Sequence, residues 1–338
     1  MLTHQASCVP WDHRQPSAAP GLNPVLGVLA AYSGHACPLR SADRESVLRT
    51  DGRALSASIK EVASKSAGEP VRLPIPGVEN LIAVGSGKGG VGKTTVAVNL
   101  AVALAAMGRR TGLMDADVYG PNVPRMMDIN EVPPVVGERI QPLEQFGVRL
   151  MSMGFLNPTD RPLIWRGPML HSVIQQFLRQ VDWGDLEYLI VDLPPGTGDV
   201  QLSLIQTVPI TGAIVVTTPS DVSLEDARKA VHMFRQVRVP VLGIVENMSY
   251  LICPHCAGRV DVFSAGGGRR TAEEMGVPFL GELALDPEVR LGGDTGRPVA
   301  LLGDNHPQAT AYQGFARRVL ARLAECAGPR GLSIEVTD

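Results

Sequence analysis

Aromatic residues are scarce, at 4% of the 338 residues. Few rings leave few platforms on which single-stranded bases could stack. An excess of one charge is missing too. Lys+Arg total 31 against Asp+Glu 34, a net of −3. So balanced a chain offers no global basic field, and no nucleic-acid partner is expected. No uninterrupted apolar run reaches the roughly 20 residues of a membrane-spanning helix. The patch NPVLGVLAAYSG at 23–34 is short, holds Pro and Gly, and lacks a clear basic flank. Neither a signal peptide nor a membrane partner is expected. Cysteines number five, an odd and low count. That argues against a secreted disulfide framework and for a reducing, cytoplasmic location.

What is present is a hydrophobic fraction of 44%, enough for a large core. Residues 1–70 are rich in Pro, Ser, Ala and Arg, and read as a poorly defined extension with one short helical candidate at 56–65. The Pro-punctuated stretch GEPVRLPIPGVEN (68–80) separates them from a domain over 71–330, followed by a tail at 331–338. From residue 81 strand-like and helix-like runs alternate. LIAVGSG, RTGLMDAD, LEYLIVDLPPG, GAIVVTTPS and VPVLGIVENMS read as buried strands. KTTVAVNLAVALAAMG, GPMLHSVIQQFLRQV and SLEDARKAVHMFRQV read as helices. The fold class expected is α/β, a doubly wound and mostly parallel sheet. Ligands of such sheets bind beyond the carboxyl ends of the strands. The chemically loaded residues follow those ends: Gly85 onward, Asp115, Asp192, Pro219 and Asn247.

GSGKGGVGKTT (85–95) fits two phosphate-binding templates. Gly85, Gly87 and Gly90 satisfy G-x-G-x-x-G, which glycine density alone can produce. Gly87, Gly92, Lys93 and Thr94 satisfy the more demanding P-loop pattern G-x-x-x-x-G-K-[ST]. Backbone N–H groups of Gly87, Gly89, Gly90, Val91, Gly92 and Thr95 would curl round phosphate oxygens of ATP at a helix N-terminus. Lys93 would neutralise the β/γ-phosphates, and the Thr94 hydroxyl would ligate Mg²⁺. Asp192 closes an apolar strand where a Walker B acid belongs, and it would hold Mg²⁺ through water. The PPGTG that follows supplies backbone near the γ-phosphate. Asp115 and Asp117 end the second strand. One of them positions the attacking water, or both are solvated strand-end charges.

Two cysteines, Cys253 and Cys256, stand three apart in ICPHCAG. As core thiols they would want apolar company, but their neighbours read as a turn. A thioredoxin-like redox pair wants a helix directly after the first thiol, and AGRVDVFSAGGG does not read as one. Half of a zinc site and half of a [4Fe–4S] site both fit the ligand type. No second Cys-x-x-Cys exists, and Cys8, Cys37 and Cys326 are isolated. Four thiolates are most easily assembled from two chains about a two-fold axis. Spacing alone leaves zinc and iron open. His255 reads as a solvated turn residue, the acids of GELALDPEVR as loop and helix-start residues, and GFARRVLARLAECAG (314–328) as a packing helix rather than a membrane-surface one.

The extra lysine in KGGVGKT resembles the deviant phosphate loop of the ATPases that include the MinD, ParA and nitrogenase iron-protein groups. The segments GKGGVGKTT, DADVYGPNVPRM, WRGPM, VDLPPGTGD, VENMSYLICPHC and GVPFLGELALDP resemble, over about 75–325, the Mrp family of iron–sulfur cluster carriers, called ApbC in some bacteria. The first resemblance implies that Lys88 reaches a partner's phosphates in a nucleotide-sandwich homodimer. It also implies that Asp117 orients the hydrolytic water and that Asn247 reads the adenine edge. The second implies slow ATP hydrolysis and a labile [4Fe–4S] cluster bridged by Cys253 and Cys256 of two subunits. Cluster donors and apo iron–sulfur clients are the implied partners. The small N-terminal domain of many bacterial members is matched only around ACPLR (36–40), so no function is transferred to it. Two rivals stand beside this reading: a positioning ATPase acting on DNA or membrane, and a nucleotide-gated reductase.

Overall fold

The structure is a computed structural model, and it describes residues 73–327 apart from Tyr119 and 157–166. The extension at 1–70 with its helical candidate, Cys8, Cys37 and the tail at 331–338 lie outside the described residues.

Strand β1 (Val78–Gly85) runs straight into the glycine loop and then helix α1 (Lys93–Ala106). Strand β2 (Thr111–Asp115), the short helix α2 (Val123–Met126), and the short strands β3 (Val135–Val136), β4 (Arg139–Ile140) and β5 (Leu143–Gln145) follow. Next come β6 (Val148–Ser152), α3 (Gly167–Arg179), β7 (Leu186–Asp192), α4 (Asp199–Thr207), β8 (Gly212–Thr217) and α5 (Asp221–Gln236). The chain continues through β9 (Val241–Glu246), β10 (Leu251–Ile252), β11 (Arg259–Val260), α6 (Gly267–Glu274), β12 (Phe279–Glu282), α7 (Pro287–Asp294) and α8 (Pro307–Ala327).

Eight strands form one sheet in the order β12-β9-β8-β1-β7-β2-β6-β5. Every pairing in it is parallel except β5 against β6 at one edge. The expected α/β, mostly parallel architecture is present. The chain moves one way across the sheet from β1 to β2 and the other way from β8 to β9. Right-handed crossovers therefore put α1 and α5 on opposite faces. The reversal falls beside β1, where such sheets hold ligands.

Helix α1 is buried nearly all round, from Val96 to Leu104. The sheet covers one side, and α8 with the turn at Val299–Leu302 covers the other, which is why its apolar residues show no single stripe. It ends at Gly108, whose φ of +76° takes the left-handed turn that stops a helix. Helix α8 buries Tyr312, Phe315, Ala316 and Val319, the spacing of one helical face, while Arg317 stays exposed. It is a packing helix, as the sequence suggests. Among the described residues, no helix is long and apolar enough to cross a membrane.

Candidate functional site

Register brings the chemistry together. Asp115 of β2 lies opposite Asp192 of β7, Val84 of β1 opposite Asp192, and Thr217 of β8 opposite Glu246 of β9. All these strands stop at one edge of the sheet, and a cleft of about 600 Å³ opens above them. Lys88, Gly89, Gly90, Gly92, Lys93, Thr94 and Thr95 line it, with Asp117, Pro195 and Asn247.

The loop geometry fits a phosphate cradle. Gly90 and Gly92 take φ of +82° and +81°, a region costly for any residue with a Cβ. A Cβ on Gly92 would also meet Asn247 Nδ2 at 2.2 Å. That contact is the counterpart of a real bond: Asn247 Nδ2 donates to the Val91 carbonyl at 2.9 Å. Val91 is buried, and Gly87 packs its backbone against that of Asp226.

Lys93 is buried and sits among acids. Its Nζ donates to Asp192 Oδ1 at 2.7 Å and lies 3.5 Å from Asp117 Oδ2. The Thr94 hydroxyl donates to Asp192 Oδ2 at 2.7 Å. A hydroxyl and a carboxylate side by side form an oxygen donor set of the kind Mg²⁺ takes. Burial raises the Asp192 carboxyl above the ordinary value, while Lys93 and Thr94 pull it back. Lys88 is half-buried and has no ion pair among the described residues.

The two acids after β2 separate. Asp115 is fully buried and accepts from the Asp117 N–H at 3.1 Å, the Val123 N–H at 3.3 Å and the Ser152 hydroxyl at 2.8 Å. Burial, then the nearby charge of Asp192, push its carboxyl up to about 7. Asp117 instead faces the cleft. The sequence left either acid open as the water-positioning group; in the structure only Asp117 can touch a ligand. Met248, Leu285, Asp286, Val289 and Arg290 complete the far wall. Sequence reasoning placed Asp286 at a helix start, and it caps α7 by accepting from the Glu288 N–H at 2.8 Å. Its place on the cleft wall was missed, because that needs the turn of chain after β12 to fold back over the phosphate loop.

The cysteines lie elsewhere. Strands β10 and β11 form a two-stranded antiparallel hairpin, with Ile252 opposite Arg259, and Cys253 and Cys256 stand in its turn. No helix follows, in line with the sequence and against a thioredoxin-like pair. The Cys253 N–H donates to the Gly258 carbonyl, and the Ala257 N–H to the Cys253 carbonyl, each at 2.9 Å. The N–H groups of His255 and Cys256, with the Cys256 thiol, bond the Cys253 sulfur and hold its pKa below the usual thiol range. Cys256 and His255 are exposed, and so are the apolar Ile252, Val260, Val262 and Phe263 around them. Arg259 braces the hairpin: it donates to Glu282 at 3.0 Å and Asp261 at 2.8 Å, and stacks 4.2 Å from the Tyr250 ring centre. Among the described residues, no group of three His, Cys, Asp or Glu could hold a metal. Cys326 is a lone exposed thiol on α8.

A family described as ParA, NUBPL iron-transfer P-loop NTPase, matches residues 77–320. The chain belongs to this family of P-loop NTPases. It is 53% identical over 261 residues to an iron–sulfur cluster carrier protein of Deinococcus radiodurans, covering 77% of this chain and 73% of that one. It is 46% identical over 280 residues to the mouse iron–sulfur cluster transfer protein NUBPL, covering 82% and 87%. Among solved structures, the ADP complex of a nucleotide-binding protein from Archaeoglobus fulgidus superposes with a TM-score of 0.59 at 35% identity, covering 69% of this chain and 91% of that one. The cell-division ATPase MinD of Pyrococcus furiosus gives 0.54 at 22% identity over 72% and 99%, a likeness of fold alone. The family agrees with the resemblance drawn from the sequence motifs.

Proposed function

We propose that this protein is an ATP-dependent iron–sulfur cluster carrier. It binds a labile [4Fe–4S] cluster between two copies of the chain, through Cys253 and Cys256 of each, and passes it to apo-proteins with slow ATP hydrolysis. One observation carries the reading. The chain joins a phosphate cleft furnished with its charged groups to a surface pair of thiols, Cys253 half-buried and Cys256 exposed, that is half a site. Soft thiolates suit iron–sulfur clusters or zinc, and the relatives are named for iron–sulfur carriage.

In this mechanism Lys93 exchanges its carboxylate partners for β/γ-phosphate oxygens. Thr94 and Asp192 would hold Mg²⁺, which when bound would supply neutralising charge to the phosphates. Asp117 accepts a hydrogen bond from the attacking water and aims it at the γ-phosphate. Lys88 reaches the phosphates of the partner subunit. Backbone N–H groups from Gly87 to Thr95 cradle the phosphates, and Asn247 reads the adenine edge from a position fixed by its bond to Val91. The exposed apolar residues beside the cysteines are the kind of surface that a second copy covers. The low cysteine count and the free thiol pair suit a cytoplasmic setting, with cluster donors and apo clients as partners.

Anaerobic reconstitution with iron and sulfide tests the reading. Absorption and Mössbauer spectra should report about one [4Fe–4S] cluster per dimer, transferable to an apo-ferredoxin. Tightly bound zinc at that stoichiometry with no iron uptake would overturn it, leaving a zinc-stapled ATPase dimer.

A further inference from the structure

The residue before Asn247 has no part in the chemistry above. Glu246 ends β9, is fully buried, and carries a carboxylate. Such a charge is costly unless it is hydrogen-bonded. It has two donors on one carboxylate. The Ser249 hydroxyl donates to Oε1 at 2.6 Å, and the backbone N–H of Gly268 donates to Oε2. Ser249 stands just before the cysteine hairpin, and Gly268 stands in the first turn of α6, just after it. One carboxylate therefore grips the chain where the excursion of residues 250–266 leaves the core and where it returns.

The sequence around the grip is built for it. A Cβ on Gly268 would meet Glu246 Oε2 at 2.8 Å, and one on Gly267 would meet Leu224 Cδ1 at 2.6 Å. The glycine run lets the helix N-terminus come close enough for its N–H to reach the acid. An anion there also meets the positive end of the helix dipole. On the other side, Glu246 is one residue from Asn247, whose amide holds the phosphate loop at Val91. Its carbonyl accepts from the Leu283 N–H at 2.9 Å, and the Ser249 N–H returns to the Leu283 carbonyl at 2.9 Å. That pair of bonds ties the root of the hairpin to the chain leading to Leu285 and Asp286 on the cleft wall.

We infer that Glu246 is a positioning residue that clamps both ends of the cysteine hairpin to the strand end carrying Asn247, so that occupancy of the nucleotide cleft changes the setting of Cys253 and Cys256. This rests on the reading of the cleft as an ATP site and of the cysteines as the cargo site. Besides this grip, residues 250–266 are tied near their ends by the Leu285 N–H to the Tyr250 carbonyl at 2.7 Å and the Ser264 hydroxyl to the Pro219 carbonyl at 3.0 Å, and nearer the thiols by Arg259 to Glu282 at 3.0 Å. A shift of β9's end is then passed to the thiols as a movement of their base.

The test needs no cluster. Alkylation rates of Cys253 and Cys256 are read residue by residue by mass spectrometry, in full-length protein with no nucleotide, with Mg-ADP and with Mg-ATP. Cys326 serves as the internal reference. For the wild type the rates should differ between nucleotide states by about fivefold or more, an ordinary size for coupling between sites. In Ser249→Ala and Glu246→Gln the ratio should fall to about one, with nucleotide affinity within roughly threefold of wild type, a margin below that coupling. Ser249→Thr, which keeps the donor, should restore it. A wild-type ratio near one, variants that keep the full ratio, or a loss of ratio matched by loss of nucleotide affinity would each overturn the clamp. Failure of cluster reconstitution would sink the carrier reading and leave this ratio unaffected, so the two failures are distinguishable.

Discussion

The nucleotide cleft and the cysteine hairpin belong to one chain but are built in opposite ways. The cleft stands on the ends of five parallel strands, where Asp115 pairs with Asp192 and Thr217 with Glu246. Lys93, Asp115 and Asp192 are buried and hydrogen-bonded there, so each has a fixed place. The hairpin has two strands of two residues each, with Cys253 half-buried and Cys256 exposed in its turn. Protonation follows the same contrast. Burial raises Asp115 to about 7, while N–H donors lower Cys253. A site that must do chemistry on a bound ligand gains from fixed groups. A site that must take up and release cargo gains from shallow, accessible donors.

The contrast breaks most completely at the thiols. Replacing Cys253 or Cys256 by Ala leaves at most two thiolates per dimer, and iron uptake on reconstitution should fall to background. ATP binding, followed by calorimetry, should be unchanged, and Cys326→Ala should leave the cluster in place. The reverse break comes from Lys93→Ala. Losing a buried charge that faces phosphates should weaken nucleotide binding roughly a hundredfold or more, with cluster loading retained. Wild-type affinity in that variant would remove Lys93 from the phosphate site.

A third test sharpens the protonation contrast. The Asp115 carboxyl is raised in the folded state, so the folded protein holds its proton more tightly than the unfolded chain does. That contribution to stability is fully present below the unfolded pKa, near 4, and is lost as pH rises through about 7. Asp115→Asn should flatten the decline in chemical-denaturation stability across that window, by at most about 4 kcal/mol. Disturbed bonds to Val123 and Ser152 lower stability at every pH and leave the flattening unchanged. A decline as steep as in wild type would remove Asp115 as its source.

Smaller still is the effect of Lys88→Ala on steady-state ATP hydrolysis, a loss of roughly tenfold to a hundredfold, below that of most trans-acting cations. Mixing this variant with Asp117→Ala should recover activity in heterodimers only. If Lys88→Ala hydrolyses ATP like the wild type, the trans role fails. Arg259→Ala should do least. The pair with Glu282 is partly exposed and worth less than about 1 kcal/mol, so cluster release should quicken by only a few-fold.

Much of the cleft was legible because its signals are local. A glycine loop between an apolar strand and an apolar helix announces itself, as do Asp192 and Asn247 at the ends of apolar runs. The hairpin was legible as a turn but not as strands, since two residues show no period. The edge pair β5 and β6 and the grip of Glu246 on Gly268 were not legible. The first has short, mixed residues, and the second joins positions 22 apart through a backbone N–H. The signals that could have found it were an acid closing an apolar strand in VENMS and an otherwise unexplained run of three glycines at 266–268.

The place of β1 in the sheet also sets a timetable for synthesis. Val78 pairs with Leu186 and Ile82 with Gly212, so the central strand emerges from the ribosome roughly 100 residues before either neighbour. At translation speeds of about 5 to 20 residues per second, it waits about 5 to 20 s with both edges unpaired. Its companion α1 waits longer, since α8, which covers it, comes last among the described elements. The nascent chain therefore presents an apolar strand and an apolar helix uncovered while the later strands are still being made, which exposes both to chaperones that bind apolar segments before the phosphate loop can close.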